Sequence, residues 1–385
     1  MEDEYLVSCL LQDETRFPSA VSHLIQDGVA IIRLPTELEC IPSRAFHNFR
    51  RVLREMDVDR HRRGVTVLPN DTDSAHATGY HHLGGLSRRY NRYRRGFIFS
   101  DGNECVVDTM FRDTTRRLFQ LLHAIFQQTI SALEDALGLP TKWFQNQLGP
   151  TVSHSQWHLK EYIDTLSSAS SSSSSSSPPS PPSSENEIRK QDNDGDDNDN
   201  DNNSNDDLST IRLGTHTDPS LLSVIIHDRP GVQDDSFGLQ YRKASKGQSS
   251  RGVEDPSADR WNHITATGHG IAVIMVGSVM AAISANQIPA CRHRVVKGFN
   301  NSNNTIHRND GNDHDRVDAV VPTRVAATLF GRPAPNALLQ TLPCPRWSQS
   351  IPVHTKNKKT PITFEAWNAR VARKYEKSKR NKKNK

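Results

Sequence analysis

Cysteine is scarce in this chain of 385 residues, with five in all: Cys9, Cys40, Cys105, Cys291 and Cys344, no two of them close. Zinc knuckles and disulfide frameworks need closely paired cysteines, so neither organises this chain, and a reducing compartment is the expectation. Long apolar runs are missing too. No stretch approaches the roughly 20 residues needed to span a bilayer. The opening Met1-Glu2-Asp3-Glu4 is acidic and lacks the basic flank and apolar core of a secretory signal. Apolar residues make up only 34% of the chain, and two polar tracts account for much of that deficit. A soluble, cytoplasmic protein with no membrane segment is the expectation.

The net charge of +4 conceals two appendages of opposite sign. Glu185 to Asp207 holds ten acidic and two basic residues, and Lys356 to Lys385 holds twelve basic and two acidic ones. The body between them is mildly basic and shows no nucleic-acid groove. The tail Lys377 to Lys385 reads as solvated, with nuclear localisation or an RNA contact as its alternative role.

Three regions emerge from the patterning. Residues 1–149 form a mixed, largely helical region. Gly28 to Leu34 reads as a short buried strand. Phe46, Phe49, Val52, Leu53 and Met56 recur at helical spacing, with Ser43 placed to cap. Arg60 to Asp101 is irregular and rich in Arg, His and Tyr. Its run Arg88 to Arg95 suits phosphate or carboxylate binding, or else forms a solvated loop. His76, His81 and His82 read as structural. Leu118, Leu121, Leu122, Ile125, Phe126, Ile130, Leu133 and Leu137 form one stripe of a long helix stopped by Gly138.

Residues 150–345 change to short strands. Gln156 to Tyr162 is strand-like, and then a Ser/Pro tract and an Asn/Asp tract occupy residues 166–208. Neither tract buries enough apolar surface to offset the entropy of ordering, so both are expected to be disordered, as an insertion within one domain. Strands resume at Ile211, and Leu221 to His227, Gly238 to Tyr241, Asn262 to Ala266, Ile271 to Val276, Met280 to Ser284, Arg294 to Lys297 and Arg324 to Phe330 complete an all-β pattern. Residues 346–385 comprise a helix, with Thr363 as cap and Phe364, Trp367, Val371 and Tyr375 on its stripe, that dissolves into the basic tail.

The chemistry centres on Gly214-Thr215-His216-Thr217-Asp218. A His and an Asp two residues apart on an extended strand share a face, so both can reach one ion. A 2-His-1-carboxylate site needs one further His, and His293, ahead of Arg294-Val295-Val296, supplies the candidate. A lone His-x-Asp is weak in a chain with 17 His. Its place in an ordered series gives it meaning: Gly238-Leu239-Gln240 comes next, then His293-Arg294-Val295, then Arg324-Val325-Ala326.

Gln156 to Pro333 resembles the iron- and 2-oxoglutarate-dependent dioxygenases of the isopenicillin-N-synthase-like family. The resemblance places the family's His-x-Asp on His216 and Asp218, its distal His on His293, its Arg-x-Ser on Arg324 to Ala326 and its Asn-x-Tyr on Lys160 to Tyr162. It implies a mainly β fold, a double-stranded β-helix or jelly roll with N-terminal helices packed on it and a C-terminal helix. It implies metal ligands His216, Asp218 and His293, co-substrate contacts from Arg324 and Tyr162, and Fe(II) and 2-oxoglutarate as cofactor and co-substrate. The activity implied is hydroxylation or desaturation of a small organic molecule by dioxygen, releasing succinate and carbon dioxide. Three departures stand out: Ala326 replaces Ser, Lys160 replaces Asn, and Met275 to Ser278 lacks the usual Asn and Asp. The alternatives are an iron oxidase of the same fold that uses no 2-oxoglutarate, and a catalytically silent β-helix scaffold that recruits partners through its appendages.

Overall fold

The computed structural model describes residues 2–58, 67–68, 78–83, 93–100, 108–149, 155–163, 211–228, 238–243, 260–266, 268–296, 323–345, 347 and 362–383. The expected insertion 166–208 lies outside the described residues, as do His76, Arg88 to Arg92 and most of the polar stretches around 250 and 310.

The described strands, in chain order, are β1 (Val29–Arg33), β2 (Gly79–His81), β3 (Arg94–Ser100), β4 (Gln156–Ile163), β5 (Ile211–His216), β6 (Leu222–His227), β7 (Gly238–Arg242), β8 (Trp261–His263), β9 (Gly268–Val276), β10 (Arg292–Val296), β11 (Thr323–Gly331) and the short pair β12 (Leu338–Leu339) and β13 (Ile362–Thr363). The first eleven form a seven-stranded sheet, β1-β9-β6-β11-β4-β3-β2, and a four-stranded sheet, β5-β10-β7-β8, with every pairing antiparallel. Val29, Tyr162, Ile225, Val273 and Met275 of the larger sheet pack with Leu213, Leu239 and Val295 of the smaller one, so the two sheets face each other across an apolar layer. β1, β2 and β3 all come from the first hundred residues, so the N-terminal part of the chain completes the larger sheet.

The helices are α1 (Glu2–Leu11), α2 (Arg16–Asp27), α3 (Cys40–Val58), α4 (Thr109–Leu137), α5 (Trp143–Leu148), α6 (Ser278–Ile283) and α7 (Phe364–Lys383). α1 to α5 share one core with the outer face of the larger sheet, where Val325, Ala327 and Leu329 of β11 and Trp157 and Leu159 of β4 meet Leu121, Leu122, Ile125 and Phe126 of α4. Each such side chain stabilises the fold by roughly 1.5–3 kcal/mol when fully buried. Contact is close enough that a Cβ on Gly331 would overlap the Phe126 ring, so only glycine fits where β11 ends on the helix.

The long helix begins at Asp108, whose carboxylate accepts from the Phe111 N–H at 2.7 Å, and ends at Gly138 with φ 67°. That is the expected stop, since Gly enters the left-handed region at low cost. Buried Glu134 accepts from the backbone N–H groups of Lys142 and Phe144, both at 2.9 Å, which fixes the turn into α5. Thr363 accepts from the Ala366 N–H at 3.3 Å at the start of α7, as its cap placement predicts.

Several local expectations are corrected. Met280 to Ile283 belongs to helix α6 and not to a strand, with Ser284 at its end; a short apolar run carries no period that separates the two. Ser43 lies inside α3, which starts at Cys40. The irregular Arg-rich region contains strand β3, and α7 continues through the basic tail to Lys383.

Candidate functional site

Alternation along the strands sends one set of side chains into the space between the sheets. From β11 these are Arg324, Ala326, Thr328 and Phe330; from β4, His158, Lys160 and Tyr162; from β6, Ile225 and His227. Together with Leu213, His216, Asp218, Leu239, His293, Val295 and Arg94 they line a cavity of about 500 Å³, counting its open mouth.

His216 and His293 are directly opposed across the β5–β10 pair, with ring centroids 4.3 Å apart. β5 ends at His216, so Asp218 lies two residues beyond the strand that the His-x-Asp spacing suggests it shares, with its carboxylate against both rings. Asp218 Oδ1 lies 3.6 Å from His216 Nε2, and Oδ2 lies 3.8 Å from His293 Nε2. One ligand atom from each residue lies within 4.8 Å of the other two. Donors about 2.1 Å from one ion on an octahedral face would stand about 3 Å apart, so a small contraction completes the geometry.

Both imidazoles are set in the same way. His216 Nδ1 is 2.8 Å from the Gly214 carbonyl and His293 Nδ1 is 3.1 Å from the Cys291 carbonyl, each two residues back. A carbonyl only accepts, so each Nδ1 donates to it and each Nε2 is the ring atom turned towards Asp218. Burial, together with the neighbouring His293, pushes His216 down to about 4. It is therefore neutral at physiological pH, and its contact with Asp218 is no ion pair. Two imidazole nitrogens and a carboxylate thus face one point, as the donors of a metal site do. The residues present fit a divalent metal ion.

A serine set holds the carboxylate. Ser223 Oγ donates to Asp218 Oδ2 at 2.7 Å, and Ser220 Oγ lies 3.0 Å from Ser223 Oγ. Ser278 holds the Asp218 carbonyl through its N–H at 2.8 Å and its Oγ at 3.0 Å. Ser220 and Ser223 lie two and five residues after Asp218, whereas Ser278 reaches it only through the fold.

Arg324 is buried further along the same face. Its Nη2 donates to His227 Nε2 at 2.9 Å, and its guanidinium carbon lies 6.0 Å from the Tyr162 ring centre. Arg324 and Tyr162 are opposed across β11 and β4, so the structure brings the two together. A Cβ on Gly238, at φ 132°, would overlap the guanidinium; glycine there lets the arginine lie flat against β7. Ala326 also faces the cavity, and so brings it no hydroxyl. His227 and His158 were not singled out from the sequence, whereas Arg94 belongs to the run Arg88 to Arg95 read as suited to phosphate or carboxylate. The first two are legible as period-2 partners of Ile225 and Tyr162.

No family model and no curated protein matches this chain. Solved structures do match. A full-length Neurospora crassa protein in complex with alpha-KG aligns over 94% of this chain and 93% of its own length at 14% identity, with a TM-score of 0.56. JOX2 in complex with 2OG, Fe and JA aligns over 93% and 81% at 15% identity, with a TM-score of 0.56. The dioxygenase for auxin oxidation (DAO) in rice aligns over 92% and 88% at 13% identity, with a TM-score of 0.54. The chain has the fold of these proteins, sheets and helices together. No helix among the described residues is long and apolar enough to cross a membrane.

Proposed function

We propose that this chain is an Fe(II)/2-oxoglutarate-dependent dioxygenase of the isopenicillin-N-synthase-like family. Its two facing sheets would be a double-stranded β-helix, and its reaction would hydroxylate or desaturate a small organic molecule, releasing succinate and carbon dioxide. One observation carries the reading: two imidazoles and a carboxylate converge with both Nε2 atoms turned towards Asp218. His216, Asp218 and His293 would hold Fe(II), leaving three positions for a bidentate oxo acid and dioxygen. The bound iron supplies the activation of dioxygen that drives oxidative decarboxylation of the oxo acid.

The chain's own residues do the rest. The Gly214 and Cys291 carbonyls fix the tautomer and orientation of the two rings. Ser223 holds the carboxylate against them, and outer partners of this kind are worth about 10- to 100-fold in metal affinity or activity. Ser223→Ala is therefore expected to weaken Fe(II) binding by about 10- to 100-fold, measured by competition with a chromophoric chelator; an unchanged affinity would remove Ser223 from the account. Arg324 presents a planar fork suited to a carboxylate, with Tyr162 beside it for the distal end of 2-oxoglutarate. Leu213, Ile225, Leu239 and Val295 keep water from the wall between them.

The reading is tested by incubating the protein with Fe(II), ascorbate, 2-oxoglutarate and air, and assaying succinate by mass spectrometry. Release above a metal-free control is expected, and none from an iron-loaded protein would contradict it. One observation favours a second reading, an iron oxidase without 2-oxoglutarate: methyl-bearing Ala326 beside Arg324 removes a hydrogen bond from the oxo-acid site.

A further inference from the structure

The inward face of β4 carries His158, Lys160 and Tyr162 in succession, and Lys160 is the anomaly. It is only 3% exposed, yet its Nζ makes no hydrogen bond among the described residues. The register explains why. Lys160 stands between Gly96 of β3 on one side and Ala326 of β11 on the other, so neither lateral neighbour has a side chain long enough to reach it. His158 Nε2, one step along the same face, likewise makes no hydrogen bond among the described residues, its ring packed edge-on to Phe330 at 4.8 Å. Arg94 lines the same wall from β3. Glu161 cannot answer these charges. It sits on the opposite face, where it accepts from Arg95 at 2.8 Å. Asp218 is the one carboxylate among the described residues that line the cavity.

A buried ammonium with three unsatisfied donors is costly unless a partner reaches it. Burial first, and then the charge of Arg94, hold the Lys160 amine well below the ordinary lysine range. His158 is depressed by burial and by Lys160 in the same way. Among the described residues no group hydrogen-bonds the Lys160 amine, so its burial costs stability.

The charge balance of the loaded site points to a ligand that would use it. Given the function proposed above, on which this step rests, Fe(II) and Arg324 balance Asp218 and a doubly ionised oxo acid. Lys160 stands outside that balance, and an anion beside it would give its Nζ the partner it lacks among the described residues and favour its protonated form. We infer that Lys160, flanked by His158 and Arg94, is a second anion subsite that takes a carboxylate or phosphate group carried by the substrate itself. The substrate class is thereby narrowed to small organic acids or phosphate esters, oriented by an anionic group held on the β3–β4 side of the cavity.

The test compares the wild type with Lys160→Met and Lys160→Arg, using benzoate and inorganic phosphate as probes. Each protein is loaded anaerobically with Fe(II) and saturating 2-oxoglutarate, and probe binding is followed by calorimetry. Removal of one charge-assisted contact should weaken the better probe by about tenfold or more in Lys160→Met, while Lys160→Arg retains it. The affinity for 2-oxoglutarate should stay within about twofold. The melting temperature of ligand-free Lys160→Met should rise, because an unpaired buried amine has gone. Equal probe affinity in wild type and Lys160→Met would overturn the inference, as would failure of both probes to bind the wild type. Loss of 2-oxoglutarate affinity with probe binding unchanged would also overturn it, since the lysine would then serve the co-substrate. If the wild type takes up no Fe(II) or 2-oxoglutarate, the functional reading has failed. The same titration of the metal-free protein then decides the lysine on its own.

Discussion

Alanine at His216 is expected to lower Fe(II) affinity by on the order of 100-fold or more, and succinate formation with it. The basis is geometric. His216 and His293 form the two nitrogen corners of one triangular face, each ring pinned through Nδ1 so that Nε2 has no other task. Losing an outer partner of a metal site already costs about 10- to 100-fold, so losing a ligand should exceed that. Stability should hardly move. His216 keeps 19% side-chain exposure and buries no large apolar group. A melting curve beside a chelator-competition titration separates the two effects. His123→Ala, on the long helix α4 and outside the cavity lining, is the matched control. Wild-type iron affinity in His216→Ala would remove this residue from the metal site.

Arg324→Leu should reduce 2-oxoglutarate affinity by between about two and four orders of magnitude while leaving Fe(II) binding within a few-fold. Two charge-assisted hydrogen bonds are lost, each worth about 1.5–3 kcal/mol, and about 1.4 kcal/mol is a factor of ten. His227 Nε2 loses its donor in the same substitution, so about 1–3 kcal/mol of stability should go as well. Arg324→Lys separates charge from shape: it keeps the cation but not the planar fork, and should recover only part of the affinity. Gly238→Ala approaches the same group from the other side. Its new Cβ would overlap the guanidinium and also strain a backbone at φ 132°, so 2-oxoglutarate binding should weaken without any change to Arg324 itself. Fluorescence or calorimetric titration reads all three variants. Full co-substrate affinity in Arg324→Leu would favour the oxidase that needs no oxo acid.

The candidate triad of His216, Asp218 and His293, which the structure brings together, was legible in part because two of its members are local. His216 and Asp218 are two residues apart, and His293 is marked by the strand it opens. Even so, the spacing predicted a shared strand face, whereas β5 ends at His216 and Asp218 lies two residues beyond it. Arg324 and Tyr162 were legible as strand residues, and their pairing across β11 and β4 obeys the antiparallel register. The supporting serines were not, since no side-chain spacing marks Ser220 and Ser223 just after Asp218, and Ser278 meets it through tertiary packing. Strand β3 was missed because its first two residues are arginines, one placed in the cavity wall and the other paired with Glu161. Polar residues demanded by a site erase the apolar alternation by which a strand is recognised. Lys160 was noticed only as a departure from a motif; its burial between Gly96 and Ala326 required the register of three strands.

The central claim is that His216, Asp218 and His293 hold Fe(II) with positions left for an oxo acid whose far carboxylate Arg324 receives. Anaerobic titration of the Fe(II)-loaded protein with 2-oxoglutarate tests it most directly, because bidentate chelation of ferrous iron produces a visible charge-transfer band. A saturable band is expected, absent from His216→Ala and shifted to much higher 2-oxoglutarate concentration in Arg324→Leu. A protein that binds Fe(II) and yields no band at any 2-oxoglutarate concentration would contradict it.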